Sequence, residues 1–170
     1  MSFVGPLDPD IPPWAVDLRG TIAAPKRRRN VNSIDRIANH RAGGGSWPTN
    51  AEDLSAALAP AWREALGDAA CPYWGLIEPS GRLVVVHGLD IKGSHAGKWN
   101  TRALGLAWIG DFRKKAPTAI QRLVGLQVNQ WFCDRFEKGV SACVGHDELK
   151  GGSSHPAKRC PGDLLNMDAF

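Results

Sequence analysis

His146, His155 and Cys160 fall in one stretch near the end of the chain, V-G-H-D-E-L-K-G-G-S-S-H-P-A-K-R-C-P-G (residues 144–162). Neutral imidazole and thiolate are zinc-type ligands, whereas magnesium and calcium prefer oxygen. A polar Gly/Ser segment separates the three residues and could fold back so that two of them meet. Lys158 stands two residues before the cysteine, and Pro161-Gly162 closes the loop after it. The spacing matches none of the tight zinc-finger patterns. Two readings therefore stay open here, a metal site or a surface loop with two solvated histidines and a buried thiol.

Other residues with chemical capacity lie upstream. His40 ends the run S-I-D-R-I-A-N-H, just before Gly43-Gly44-Gly45. Tyr73 stands at the entry to a strand-like run, where a half-buried packing role is the ordinary reading. His95 sits in the small-residue turn G-S-H-A-G, followed by Trp99. An exposed histidine beside a tryptophan could line a groove for a polar ligand, and a plain turn fits equally well. His87, after Val84-Val85-Val86, reads as structural. The cluster Lys26-Arg27-Arg28-Arg29 admits a nucleic-acid patch, but no aromatic residues are interleaved with it for base stacking, so a solvated turn is favoured.

These residues need elements to carry them. A chain of 170 residues fits one domain with a sizeable core. The formal charge of +4 gives a mild attraction to anionic partners. Nothing at the N-terminus resembles a secretory signal, so the four cysteines are expected as reduced thiols, one of them used for metal. No apolar run reaches the ~18 residues of a membrane span. Residues 1–30, rich in proline, read as an extended arm packed on the domain by Trp14 and Leu18, without a regular element. Residues 31–170 form the domain itself. Its expected elements are a strand over 33–40, a helix over 50–66 with Pro60 as a kink, and a hairpin turning at Pro79-Ser80-Gly81. A strand follows in A-L-G-L-A-W-I-G, then a helix over 117–136 with Pro117 in its first turn. Its apolar face is read as Ile120, Leu123, Val124, Val128, Trp131, Phe132 and Phe136. A short strand over 142–145 ends at His146, and 163–167 is a brief helix or coil.

In this order the motifs Y-W-G-L-I-E-P-S-G, S-H-A-G with N-T-R-A-L-G-L, G-H-D-E and K-R-C-P-G resemble the zinc-dependent N-acetylmuramoyl-L-alanine amidases of the type-2 family. That family includes phage T7 lysozyme and the peptidoglycan recognition proteins. The resemblance runs from about Trp14 to the C-terminus. It implies an α/β single domain with a central mixed β-sheet flanked by helices. It also implies a zinc amidase cutting the bond between N-acetylmuramic acid and the L-alanine of the stem peptide. The family's metal ligands fall on His40, His146 and Cys160, which moves His155 out of the ligand set to a loop or groove position. The catalytic roles fall on Tyr73 and Lys158, and His95, Trp99 and His155 are the expected substrate-binding residues. This chain departs from the family in having Arg41 directly after the first histidine, and strand alternation should point it away. Three protein ligands leave zinc an open position, the pattern of a catalytic site. A compact phage or prophage endolysin is the implied role, monomeric, held in the host bacterial cytoplasm until a holin-type lesion opens the way to the wall. A cytosolic wall-recycling amidase and a non-catalytic peptidoglycan-binding module are the alternatives. Peptidoglycan or muropeptide is the expected partner, with no nucleic acid.

Overall fold

The run A-L-G-L-A-W alternates large and small side chains, and this alternation sets the two faces of the sheet. In the computed structural model, which describes residues 8–20, 26–42, 71–150 and 160–165, the run forms β5 (Ala103–Trp108), buried along its whole length. Leu104, Leu106 and Trp108 point into the main core, while Ala103 and Ala107 belong to smaller clusters of the opposite face. The other strands are β1 (Val16–Asp17), β2 (Arg36–Arg41), β3 (Gly75–Ile77), β4 (Leu83–Val85) and β6 (Cys143–Gly145). Their spatial order is β1-β4-β3-β5-β2-β6. Among the described strands β3 and β4 pair antiparallel, as the expected hairpin, and the other strand pairings are parallel. The sheet is mixed, and its apolar runs are buried on both faces, as parallel strands require.

Among the described residues the α-helix α1 (Ala119–Phe136) covers the main core. It starts with a capping box: the Gln121 N–H donates to the Thr118 hydroxyl at 3.1 Å, and the Thr118 N–H donates to Gln121 Oε1 at 3.3 Å. Pro117 therefore precedes the cap instead of occupying the first turn. The inward stripe is Gln121, Val124, Gly125, Val128 and Phe132, and Ile120 and Leu123, expected inside, are 46% and 51% exposed. Gly125 is required by the packing, since a Cβ there would lie 1.9 Å from Cη2 of Trp108. Buried Gln121 donates to two strand-end carbonyls, Ile77 O at 3.1 Å and Ile109 O at 3.0 Å, locking the helix start onto β3 and β5. Among the described residues no helix is long and apolar enough to cross a membrane. The helix expected over 50–66 lies outside the described residues.

Two expectations for the N-terminal segment change. Val16 and Asp17 pair with Val84 and Val85 as an edge strand, so the arm does carry a regular element. Trp14 is 44% exposed, while Leu18 makes apolar contacts together with Ile11, Ala15 and Val16. In the basic cluster, Arg29 is buried and donates to the carbonyls of Leu89 (2.7 Å), Asn100 (3.2 Å) and Ala103 (2.7 Å). Arg28 pairs with Asp90. The turn is solvated at Lys26, Arg27 and Arg28, while Arg29 ties three separate segments together.

Candidate metal centre

β2 and β6 run side by side and in parallel, so their C-terminal ends deliver His40 and His146 to the same edge of the sheet. The His146 N–H extends the ladder by one bond, donating to Asn39 O at 3.0 Å. Asn39, fully buried on the helix side, secures the pair: its Oδ1 accepts from the Trp108 indole at 2.8 Å and its amide donates to Val144 O at 3.3 Å. Alternation then turns His40 to the opposite face. There its ring stands 4.4 Å from that of His146, centroid to centroid.

Cys160 arrives from far along the chain and is held by Asp147, the residue after His146. The Cys160 N–H donates to Asp147 Oδ2 at 2.7 Å, and the Asp147 N–H donates to Cys160 O at 3.0 Å. Glu148 does similar work one residue on, its Oε1 accepting the Gly145 N–H at 2.7 Å. The result brings Cys160 Sγ to 3.8 Å from His40 Nδ1. One donor atom from each of His40, His146 and Cys160 lies within 4.8 Å of the others. Tetrahedral zinc with bonds of about 2.0–2.3 Å sets such donors about 3.3–3.6 Å apart, so this set fits with a contraction of at most about 1.5 Å. Two imidazoles and a thiol form a soft donor set that suits zinc.

Around this triad the remaining candidates take distinct places. Tyr73 faces His40 with ring centroids 4.8 Å apart. Burial first, then the Cys160 and Cys71 sulfurs, pushes its phenol well above the ordinary range, so it stays protonated. The ring of His95, expected to be exposed, is packed edge-on to His40 at 5.0 Å. Its Nδ1 lies 3.0 Å from His40 Nε2, and its Nε2 lies 3.2 Å from Ala103 O. Burial, aided by the Arg29 charge, pushes His95 down to about 3, so the ring is neutral. Trp99 is half-buried: its indole N–H donates to Leu149 O at 2.7 Å, and the Arg36 guanidinium lies 4.6 Å from its ring centre. It thereby joins the turn after His95 to the loop after His146. Arg41 pairs with Asp111 at 3.3 Å, and its strand partner is Trp108 of the helix face. His87, read as structural, is buried beside the Cys71 carbonyl. Lys158 and His155 lie outside the described residues. Asp147 and Gly105 were not singled out from sequence, although Asp147 belongs to the quoted G-H-D-E motif and its spacing from His146 was the available signal.

A family model described as N-acetylmuramoyl-L-alanine amidase matches residues 27–163. Among curated proteins no significant match is found. Among solved structures, the endolysin N-acetylmuramoyl-L-alanine amidase LysCS of Clostridium intestinale superposes with a TM-score of 0.71 at 19% identity, covering 94% of each chain. Drosophila peptidoglycan recognition protein LB gives 0.70 at 18% identity, over 89% of this chain and 90% of that one. Peptidoglycan recognition protein LE, solved with tracheal cytotoxin, gives 0.72 at 16% identity, over 92% of each. At these identities the likeness is one of fold.

Proposed function

Because the chain belongs to the N-acetylmuramoyl-L-alanine amidase family, we propose that it is a zinc-dependent amidase that cuts between N-acetylmuramic acid and the L-alanine of the stem peptide. The observation that carries this reading is the convergence of His40, His146 and Cys160, from three separate segments, to within 4.8 Å. These three residues would hold the ion, which when bound supplies Lewis-acid polarisation and activation of water near neutral pH. Tyr73 stands beside the site with its phenolic proton in place and serves as a hydrogen-bond donor or proton relay to the reacting amide. Lys158 stabilises the developing oxyanion, a contribution worth roughly 3–4 kcal/mol per donor. Trp99 and His155 are the residues assigned to substrate binding.

We assign the protein to a phage or prophage endolysin that accumulates in the host cytoplasm and reaches the wall through a membrane lesion. The likeness to an endolysin amidase supports this role. A muropeptide-binding module without catalysis is the competing reading, supported by the likeness to a recognition protein solved with a peptidoglycan fragment. The presence of Cys160 weighs against it, because a pure binding site has no need of a thiolate ligand. A wall-recycling amidase acting on soluble muropeptides is the other alternative.

Digestion of purified sacculi separates these readings. The amidase releases stem peptides with an L-alanine amino terminus, and His146→Ala and Cys160→Ser abolish both zinc binding and this release. Lys158→Ala keeps zinc and loses most of the rate. Reducing sugar ends, or full activity after exhaustive chelation, would overturn the assignment. Lysis of an expressing host only when a membrane lesion is supplied supports the endolysin role, and activity confined to soluble muropeptides supports recycling.

A further inference from the structure

We propose that His95 is a positioning residue of the metal centre: it holds the His40 ring with its proton on Nε2 and its Nδ1 lone pair on the side of Cys160. This rests on the ligand role assigned to His40 above, and it replaces the groove role expected from the G-S-H-A-G turn.

A carbonyl oxygen only accepts, so the His95 nitrogen facing Ala103 O, Nε2 at 3.2 Å, carries the hydrogen. A neutral imidazole has one N–H, and Nδ1 of His95 is therefore an acceptor. Its partner at 3.0 Å is Nε2 of His40, which must donate. That leaves the lone pair of His40 on Nδ1, the nitrogen 3.8 Å from Cys160 Sγ. A doubly protonated His95 would reverse the central bond, and the surroundings oppose a second positive charge. Arg29 donates to the same Ala103 carbonyl at 2.7 Å and places its guanidinium at the outer end of the chain.

The slot that holds the ring is built for it. The N–H groups of His95 and Ala96 both donate to Asn100 Oδ1, at 3.0 and 2.7 Å, which fixes the backbone of the turn. Below the ring lies Gly105 of β5, where a Cβ would come within 2.8 Å of His95 Cδ2 and 2.9 Å of Cγ. Gly93 lies beside it, where a Cβ would meet the ring at 3.1 Å and the Pro72 carbonyl at 2.1 Å. Both ring nitrogens of His95 are engaged by protein groups, which leaves neither for a glycan or peptide. Because the hydrogen-bonded relay ends on a neutral carbonyl and not a carboxylate, it fixes which nitrogen of His40 carries the hydrogen without adding a charge beside the donor set.

Two measurements test this. In the metal-free protein with 15N-labelled histidine, NMR should show coupling through the hydrogen bond between His95 Nδ1 and His40 Nε2, with His40 Nδ1 unprotonated. A protonated His40 Nδ1 or His95 Nδ1 would overturn the proposal. Zinc competition with a chromogenic chelator should give about 10- to 100-fold weaker binding for His95→Phe. His95→Gln, whose carboxamide can accept at one end and donate at the other, should recover much of that loss. Unchanged zinc affinity in His95→Phe with a raised KM would instead make His95 a groove residue and sink the idea. If the wild-type protein binds no zinc, the ligand reading of His40 fails with the proposed function, while the coupling in the metal-free protein still decides the proton positions.

Discussion

Asp147 shows how much of the centre depends on single residues that carry no metal-ligand chemistry themselves. Its carboxylate and its backbone N–H both bond to Cys160, so a ligand from the C-terminal segment is tied to the residue beside His146. Removing the carboxylate leaves the Cys160 N–H without this acceptor and lets the sulfur drift from the two imidazoles. Asp147→Ala is expected to weaken zinc binding about tenfold, at the low end of what outer partners of a metal site contribute. Asp147→Asn keeps a carbonyl acceptor and should lose less. Chelator competition, with the thermal midpoint of the metal-free proteins as a control for folding, checks both. Residue types alone left the loop around His146 and Cys160 open between a metal site and solvated side chains, and His40 joined them only through the family resemblance, because its distance along the chain hides the parallel pairing that brings it near. Nor could the sequence show that His95 faces His40, since that pairing depends on a parallel register and on a glycine in another strand. Arg29 was hidden for a similar reason, reading as one of four basic residues in a row until its carbonyl partners were in view.

At the scale of elements, α1 and the β3–β4 hairpin follow from local signals, a helical apolar period and a Pro-Ser-Gly turn. The order of the strands does not, because β2 is inserted between β5 and β6 by pairings that span most of the chain. Periodicity also made the buried face of α1 too wide. Ile120 and Leu123 satisfy a helical spacing and lie outside, whereas polar Gln121 and small Gly125 lie inside, each for a reason set by its partner across the interface. Gln121 meets two strand-end carbonyls, and Gly125 leaves room for Trp108. The second contact gives a sharp test. In Gly125→Ala the new methyl overlaps the indole of Trp108, whose N–H is held by Asn39, so the ring has little freedom to move aside. Helix propensity favours alanine by about 1 kcal/mol, and overpacking of a tight core costs typically 1–3 kcal/mol or more. Overpacking should win, lowering the urea midpoint. A midpoint at or above wild type would mean that α1 is not seated against β5 in this way.

Across the whole molecule the sheet divides stability from chemistry: one face packs against α1, and the other carries the candidate metal centre with smaller apolar clusters around it. Cys71 belongs to one of those clusters, is 2% exposed, and its thiol is pushed up to about 12 by burial. An unfolded cysteine ionises near 8.5. Between these values the unfolded chain has released a proton that the folded chain still holds. The unfolded state therefore binds fewer protons, and stability must fall as pH rises through this window. Below about 8.5 both states keep the proton and this dependence vanishes. For this one group the loss approaches ~1.4 kcal/mol per pH unit. Urea unfolding of the metal-free protein under reducing conditions, from neutral pH to about pH 10.5, measures the slope. Cys71→Ala lowers stability at neutral pH by removing a buried side chain, and its decline with pH should be shallower than that of the parent protein. Parallel slopes would mean that Cys71 is open to solvent and that the cluster beside Tyr73 is not closed.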